Sequence, residues 1–482
     1  MTKKLLFAMA LLASAGSMSA AEYWVATNGK DSNLGTEAAP FGSPEMALMC
    51  CKAGETTTIH LQKDATFMVG ALRIEDNCNV VLVGDNTTFK AAEKSHLEGG
   101  EGLRILRIGN GTDVNISGVN FVNGRQVGYF PGGAIFGLGK KLVIDNCSFI
   151  DNMGSSSGGA ICNRGLYLEV RNSYFEGNNV EGGGGTGAAI SMTGSLTEFD
   201  GELIVENCAF YKNHIDGAAG HGTVIAIAEP GDNAGGGGYS LVSKLTVKNC
   251  TMLDNYQVEE YAADIDISDT GDCEAVIVNN TIVNCGAGFN IGFQNVPVYL
   301  FNNFIYAKKS AVSAYADVAN DKREPMTAAN NVLIGGVGAL NDNCDDSMFK
   351  GNDNVLGTTA DKSLASFAMS SSMTREGNLG FIICGPTSSL NEAGLLTSAS
   401  YSDGVNYIPA ADCRGAVKEG VKCIGSYQAG GVIDDQNGVA GVIADENAPV
   451  EYYNLQGVRV ANPENGLYIV RQGRNVRKVL IK

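Results

Sequence analysis

The chain has 482 residues and a formal net charge of −18, which argues against nucleic acid or an anionic membrane surface as a partner. The same charge disfavours acidic polysaccharides unless a cation bridges them or the basic residues gather locally. Gly is abundant at 63 residues and Pro scarce at 10, a balance that favours short strands and tight turns over helices.

In chain order, the first element has the layout of an export signal. Lys3 and Lys4 form a charged start, residues 5–15 an apolar stretch, and Ser19-Ala20-Ala21 supplies the small residues of a cleavage site. The apolar stretch is too short for a transmembrane anchor, and no Cys adjoins the cleavage point for a lipid anchor. Residues 1–21 are therefore expected to be a signal peptide, with Glu22 first in the mature chain. Residues 43–53 are predicted to form a short helix that caps the first coil of a repeating body.

That body shows itself as an internal repeat. The segments LVIDNCSFIDN (142–152), LEVRNSYFEGN (168–178), LIVENCAFYKN (203–213), LTVKNCTMLDN (245–255) and AVIVNNTIVNC (275–285) align without a gap. Asn146, Asn172, Asn207, Asn249 and Asn279 mark the register. Four residues earlier stand Leu142, Leu168, Leu203, Leu245 and Ala275; two earlier stand Ile144, Val170, Val205, Val247 and Ile277. Three later come Phe149, Phe175, Phe210, Met252 and Ile282. Alternation with period two predicts a strand with one buried face. The marker Asn suits a sharp bend, because Asn tolerates left-handed backbone.

Successive markers lie 26, 35, 42 and 30 residues apart, and Gly118, Asn302 and Asn330 extend the series. One coil of a right-handed parallel β-helix, lengthened in places by loops, accounts for these spacings. Coils about 4.8 Å apart place like on like. Asp145, Arg171, Glu206 and Lys248, one residue before the marker, should then form an outward row of alternating charge. Cys147, Ser173, Cys208 and Cys250, one residue after it, should form an inward ladder. Cys147 and Cys208 sit two coils apart, roughly 10 Å by strand spacing, too far for a disulfide. Cys208 and Cys250 point the same way, so both are expected as buried thiols. Cys413 and Cys423 are the candidate pair. With no C-x-x-C and four His in all, the cysteines match no zinc site.

The tetrapeptides GGAI (132–135), GGAI (158–161) and GAAI (187–190), paired with FIDN, FEGN and FYKN, resemble the repeats of polymorphic outer membrane proteins. That resemblance covers roughly residues 110–260 and implies surface-exposed, adhesin-like β-helix coils. The opening segment YWVATNGKDSNLGTEAAPFGSPEMAL (23–48) is similar to the start of secreted proteins of the pectate-lyase-like superfamily. The segment IPAADCRGAVKEGVKCIGSYQ (408–428) resembles that group's closing motif, with Cys423 in place of the usual Asp and Gln428 in place of the usual Glu. Residues 452–482, from YYNLQG to KVLIK, are similar to the C-terminal sorting domains of Bacteroidetes cargo of the type IX secretion system. The implied organisation is signal peptide 1–21, right-handed β-helix 22–428, linker 429–450 and a small C-terminal β module, 451–482, read by secretion machinery. The fold class is thus all-β, with the protein secreted or on the outer cell surface.

Candidate site residues fall where the coils are longest. Extra residues occur in equivalent places, 182–187 and 216–222 before the GAAI-like strand and 193–200 and 229–240 after it. Loops at the same corner of neighbouring coils must lie side by side and build a wall. Within it His221, Asp216 and Glu229 are the candidate acid–base groups, and Asp200 and Asp232 candidate binding groups. Gly220-His221-Gly222 is similar to the G-H-G of polygalacturonases, but the acidic motifs that accompany it there are missing beside it. Pectate-lyase motifs such as W-I-D-H and R-x-P-x-x-R do not occur. Tyr129 and Phe130 offer loop aromatics for sugar stacking. Asp264 and Asp266, alternating with Ile265 and Ile267, should face outward together and could hold Ca²⁺. No other cofactor is implied and a monomer is expected. The functional expectation is an adhesin-like protein binding a polysaccharide or host-surface glycan; the alternative is a polysaccharide lyase or glycoside hydrolase.

Overall fold

The computed structural model describes residues 21–92, 103–128, 130–193, 200–217, 220–227, 241–258, 262–267, 273–291, 298–314, 326–341 and 353–360, with residues 344 and 349. It also describes 374–376, 379–381, 408–417, 423–428, 431–433, 450–453, 459–460, 466–472 and 475–481. The expected signal segment, up to residue 20, lies outside the described residues. The chain divides into two compact units, residues 1–414 with 418–431, and residues 415–417 with 432–482.

The first unit is a parallel β-helix. Each coil lays a strand before the marker on a first face and a strand after it on a second. These two faces join in one sheet because Asn79–Ala91 and Asp113–Val122 run unbroken through the corner. A third face stacks short strands in chain order, from Leu72–Ile74 to Gly338–Leu340. A small fourth strip pairs Met153–Gly154, Asn179–Val180, His214–Ile215 and Tyr256–Gln257. The predicted cap helix is Pro44–Met49, where Ser43 Oγ accepts from the Met46 amide at 3.3 Å and Ala47 and Leu48 are buried.

The ladders stand as expected. Leu142, Leu168, Leu203, Leu245 and Ala275 are successive partners in register, and all are buried. Phe121, Phe149, Phe175 and Phe210 stack with centroids 5.0, 4.7 and 4.8 Å apart. The marker residues hold left-handed backbone from Asn146 at φ 52° to Asn279 at 55°, and Gly118, Asn302 and Asn330 do the same. In the outward row Arg171 meets Asp145 at 3.2 Å and Lys248 meets Glu206 at 3.1 Å.

One residue beyond the marker, the inward ladder of Cys147, Ser173, Cys208 and Cys250 continues as Asn280, Asn303 and Asn331. Cys147 N–H donates to Ser173 Oγ at 3.2 Å and Cys250 N–H to Asn280 Oδ1 at 2.9 Å. Burial pushes the Cys147 thiol up to about 12. Every described cysteine is a free thiol, Cys413 and Cys423 included, which corrects the expected pairing of those two.

Two features were not expected. A second left-handed bend follows five residues after each marker, at Asp151, Gly177, Lys212, Asp254 and Asn284. Immediately after it, Asn152, Asn178, Asn213 and Asn255 form a buried amide ladder. Each Nδ2 donates to the next Oδ1, at 3.0, 2.8 and 3.0 Å. These amides satisfy backbone groups that the bend takes out of the sheets.

The closing segment straps back over the coils rather than adding one. Ser426 Oγ lies 2.7 Å from Thr251 Oγ1, Gly425 N–H donates to Asn302 O at 2.9 Å, and Asn249 Nδ2 donates to Ala411 O at 2.9 Å. Asp412 holds Arg414 at 2.7 Å and accepts from Gln428 N–H at 2.9 Å. The Gln428 amide bonds the Cys423 backbone in both directions at 2.7 Å. A neutral amide fills this role fully. In the second unit, Val450–Tyr453, Arg459–Val460, Gly466–Gln472 and Asn475–Ile481 form an antiparallel sheet, the small C-terminal β module.

Candidate functional site

The third face carries the candidate site. Its strands begin where GGAI-like tetrapeptides turn the chain, and the first glycine of each must be glycine. Gly132 and Gly158 take φ +72° and +59°, and a Cβ on either would lie within 2.4 Å of a backbone oxygen. The following Ala134 and Ile135, or Ala160 and Ile161, are then directed into the core. The next residue points outward. Register makes those residues a row: Arg73 beside Arg107, Arg107 beside Phe136, Phe136 beside Cys162, then Ser191, Ala226, Asp266 and Asn290.

The row has two ends of different character. At the Asp266 end the described parts of the inserted segments 182–187 and 216–222 lie over it. His221 N–H donates to Gly185 O at 2.9 Å and Gly187 N–H to His221 O at 3.1 Å, so the two loops lie side by side. Ser157, Thr186 and His221 form a bridge ladder over the row. Thr186 Oγ1 reaches Ser157 Oγ at 3.0 Å and Ser191 Oγ at 3.2 Å. His221 Nδ1 stands 3.6 Å from Asp266 Oδ2, which also accepts from Asn290 Nδ2 at 3.1 Å. The imidazole remains 26% exposed while Asp266 is 2% exposed, an arrangement that orients the ring through a buried carboxylate.

At the other end the row, among the described residues, is uncovered, cationic and aromatic. Phe136 is partly exposed, with the guanidinium of Arg104 4.8 Å from its ring centroid and that of Arg164 at 5.6 Å. Arg104 is fixed by two backbone carbonyls, Nε donating to Gly132 O at 2.9 Å and NH2 to Pro131 O at 2.7 Å. Burial pushes Arg104 down to about 10; Cys162 opposes this shift, and the like charges of Arg107, Arg164 and Arg73 add to it.

The residues expected as site groups fare unevenly. Asp216 accepts from Asn179 Nδ2 at 2.7 Å and lies 3.7 Å from His214 Nε2, so its partner is His214 and not His221. Asp200 is exposed just before the strand Gly201–Glu206. Phe130 is 49% exposed, and its carbonyl accepts from Ser155 Oγ at 3.1 Å. It adjoins Pro131, which Arg104 anchors. Tyr129, Glu229 and Asp232 lie outside the described residues, as does most of 193–200 and 229–240.

The expectation that Asp264 and Asp266 form an exposed pair is corrected: both are buried. Asp264 occupies the position that in preceding coils belongs to Ala134, Ala160, Ala189 and Val224. It accepts from Asn255 Nδ2 at 3.3 Å, whereas Asp266 answers to Asn290 and His221. Burial pushes the Asp264 carboxyl far above the usual range. Among the described residues no three His, Cys, Asp or Glu side chains gather as a metal would require.

The four arginines were not anticipated. For three of them the signal was present as Leu-Arg-Ile tripeptides, at 72–74, 103–105 and 106–108, that precede the GGAI series without its glycines.

No protein-family model matches the sequence, and no curated protein matches it. A solved structure of a rhamnogalacturonan lyase is similar at 13% identity and a TM-score of 0.34, over 65% of this chain and 87% of that one. A likeness that slight carries neither an activity nor a substrate to this chain.

Proposed function

We propose that this is an exported, adhesin-like β-helix protein that binds a polysaccharide or host-surface glycan along its third face. The observation that carries the reading is Phe136, partly exposed in the outward row, with Arg104 and Arg164 against its ring and Arg107 beside it in register. A sugar ring packs an apolar face on an aromatic and offers oxygens at its rim. Planar guanidinium donors at a fixed height beside a ring meet both demands. Arg104, held by two backbone carbonyls, is a positioning group that binds without exchanging protons. Export by residues 1–21 and delivery by residues 451–482 complete the proposal, supported by the signal-like start and the sorting-domain resemblance of the tail.

The second reading is a polysaccharide lyase or hydrolase. The His221–Asp266 pair favours it, because a carboxylate-oriented, partly exposed imidazole suits a general base. Incubating the full chain with plant, host and bacterial polysaccharides, with and without Ca²⁺, separates the two. Retention without new chain ends supports the binder. New oligosaccharide ends that vanish in His221→Ala would replace it with the enzyme.

A further inference from the structure

We infer that Arg73, Arg107, Arg104 and Arg164 form an anion-selective subsite, taking the carboxylate or sulfate groups of a charged glycan. This rests on the glycan-binding reading above and names the ligand class for the same face.

Among the other described strand pairs, no like charges are partners in register. On the first face the outward row alternates in sign, and its charges pair between coils at 3.2 and 3.1 Å. On the third face Arg73 and Arg107 are direct partners in register, one strand spacing apart, so like charge stands on like. Arg104 and Arg164 then fold over the next residue of that row, Phe136. Among the described residues, Arg73, Arg104 and Arg107 form no ion pair with a carboxylate. The acidic residues nearest in sequence to Arg73, Glu75 and Asp76, follow the strand, while Glu101, three residues before Arg104, lies outside the described residues. Asp76 Oδ1 accepts from Asn110 N–H at 2.8 Å, across the corner between coils. In a chain of net charge −18, a cationic column of this kind is a local inversion of the field.

The geometry narrows the ligand further. Arg73 and Arg107 have their fixed heights because they sit on successive strands, about 4.8 Å apart along the helix axis. A ligand with anionic groups at intervals along a chain would meet Arg73 and Arg107 in turn, with bidentate oxygens matched to the guanidinium fork. Phe136 ends the column with an apolar surface, which favours a sugar ring over a bare inorganic anion. The general acidity of the protein disfavours acidic polysaccharides everywhere except at such a gathering of basic residues.

The test is affinity electrophoresis of the full chain through gels containing polygalacturonate, dextran sulfate or neutral dextran, at low and at physiological ionic strength. The proteins compared are wild type, the double variant Arg73→Gln/Arg107→Gln, and Lys248→Gln, which removes a charge from the first face. Retention by polygalacturonate or dextran sulfate is expected to exceed that by neutral dextran by about tenfold or more and to fall by about tenfold in the double variant. Lys248→Gln should match wild type, and all three should melt alike. Whichever of the two anionic gels retains the protein identifies carboxylate or sulfate as the group recognised. Retention unaffected by the double variant, or weakened equally by Lys248→Gln, overturns the inference and leaves the glycan reading standing. A third result reverses that: no gel retains the protein, yet inorganic sulfate raises the melting temperature of wild type and not of the double variant. The anion subsite would then hold and the glycan reading fall.

Discussion

Replacing Asn178 by Ala tests whether the buried amide ladder holds the coils together. Asn178 uses its whole hydrogen-bonding capacity. Oδ1 accepts from Asn152 N–H at 3.1 Å and Asn152 Nδ2 at 3.0 Å; Nδ2 donates to Phe149 O at 3.0 Å and Asn213 Oδ1 at 2.8 Å. The substitution strands one amide proton of the Asn152 backbone and one of its side chain, and removes one of the bonds that the Phe149 carbonyl accepts. At about 1–3 kcal/mol for each buried polar group left unpaired, and taking the middle of that range for the two stranded donors, the local cost is about 4 kcal/mol. A stack of coils need not unfold in one step, so hydrogen exchange is the right assay. The reporters are the amides of Asp151 and Gly177, which bond across coils to Glu176 O at 3.0 Å and Tyr211 O at 3.1 Å. Both should exchange roughly a thousandfold faster in Asn178→Ala. Asn179→Ala, losing one exposed bond to Asp216, should change them by less than tenfold. If Asn178→Ala also stays under tenfold, the ladder does not bind the coils and the reasoning fails.

Asp264→Asn should make the chain more stable at neutral pH and no more stable in acid. The folded carboxyl has a raised pKa, so the unfolded chain releases its proton first. Between the two pKa values each unit rise in pH costs the native protein about 1.4 kcal/mol, and below both there is no contribution. Melting temperatures followed from about pH 3 to about pH 7 should therefore diverge upward; parallel curves would contradict the burial argument. Gly158→Ala combines left-handed backbone with a Cβ placed 2.3 Å from Ile161 O, whereas Gly54, at φ +81°, faces open space. Gly54→Ala should cost about 1 kcal/mol and Gly158→Ala clearly more, measured by thermal melting; equal losses would remove the steric part of the account. Gln428→Ala breaks both bonds to the Cys423 backbone. Limited proteolysis should then cut within 408–428 sooner while the coils before 300 resist as before. An unchanged cleavage rate would show that the bonds of Ala411, Gly425 and Ser426 to the coils fasten the strap without Gln428.

The repeat was legible because each of its positions has one environment. Leu142, Phe149 and Asn146 read the same way in every coil since stacking puts equivalent residues in equivalent surroundings, and a single-chain alternation rule then assigns inside and outside. The left-handed Asn markers and the pairing of Arg171 with Asp145 followed from local backbone preference and strand spacing alone. Tertiary structure decided what lies over a face. Alternation placed Asp264 and Asp266 opposite Ile265, but it could not tell that inserted loops cover one and that Asn255 claims the other, because both facts come from segments distant along the chain. His221 was rightly set within a wall of adjacent loops, while its partner proved to be Asp266, one coil onward, and not Asp216. The arginine column shows the limit most plainly: Arg73 and Arg107 stand 34 positions apart in sequence and one strand spacing apart in space. Local physics set each strand; only the stacking of coils, with its fixed spacing and register, turned scattered charges into a surface.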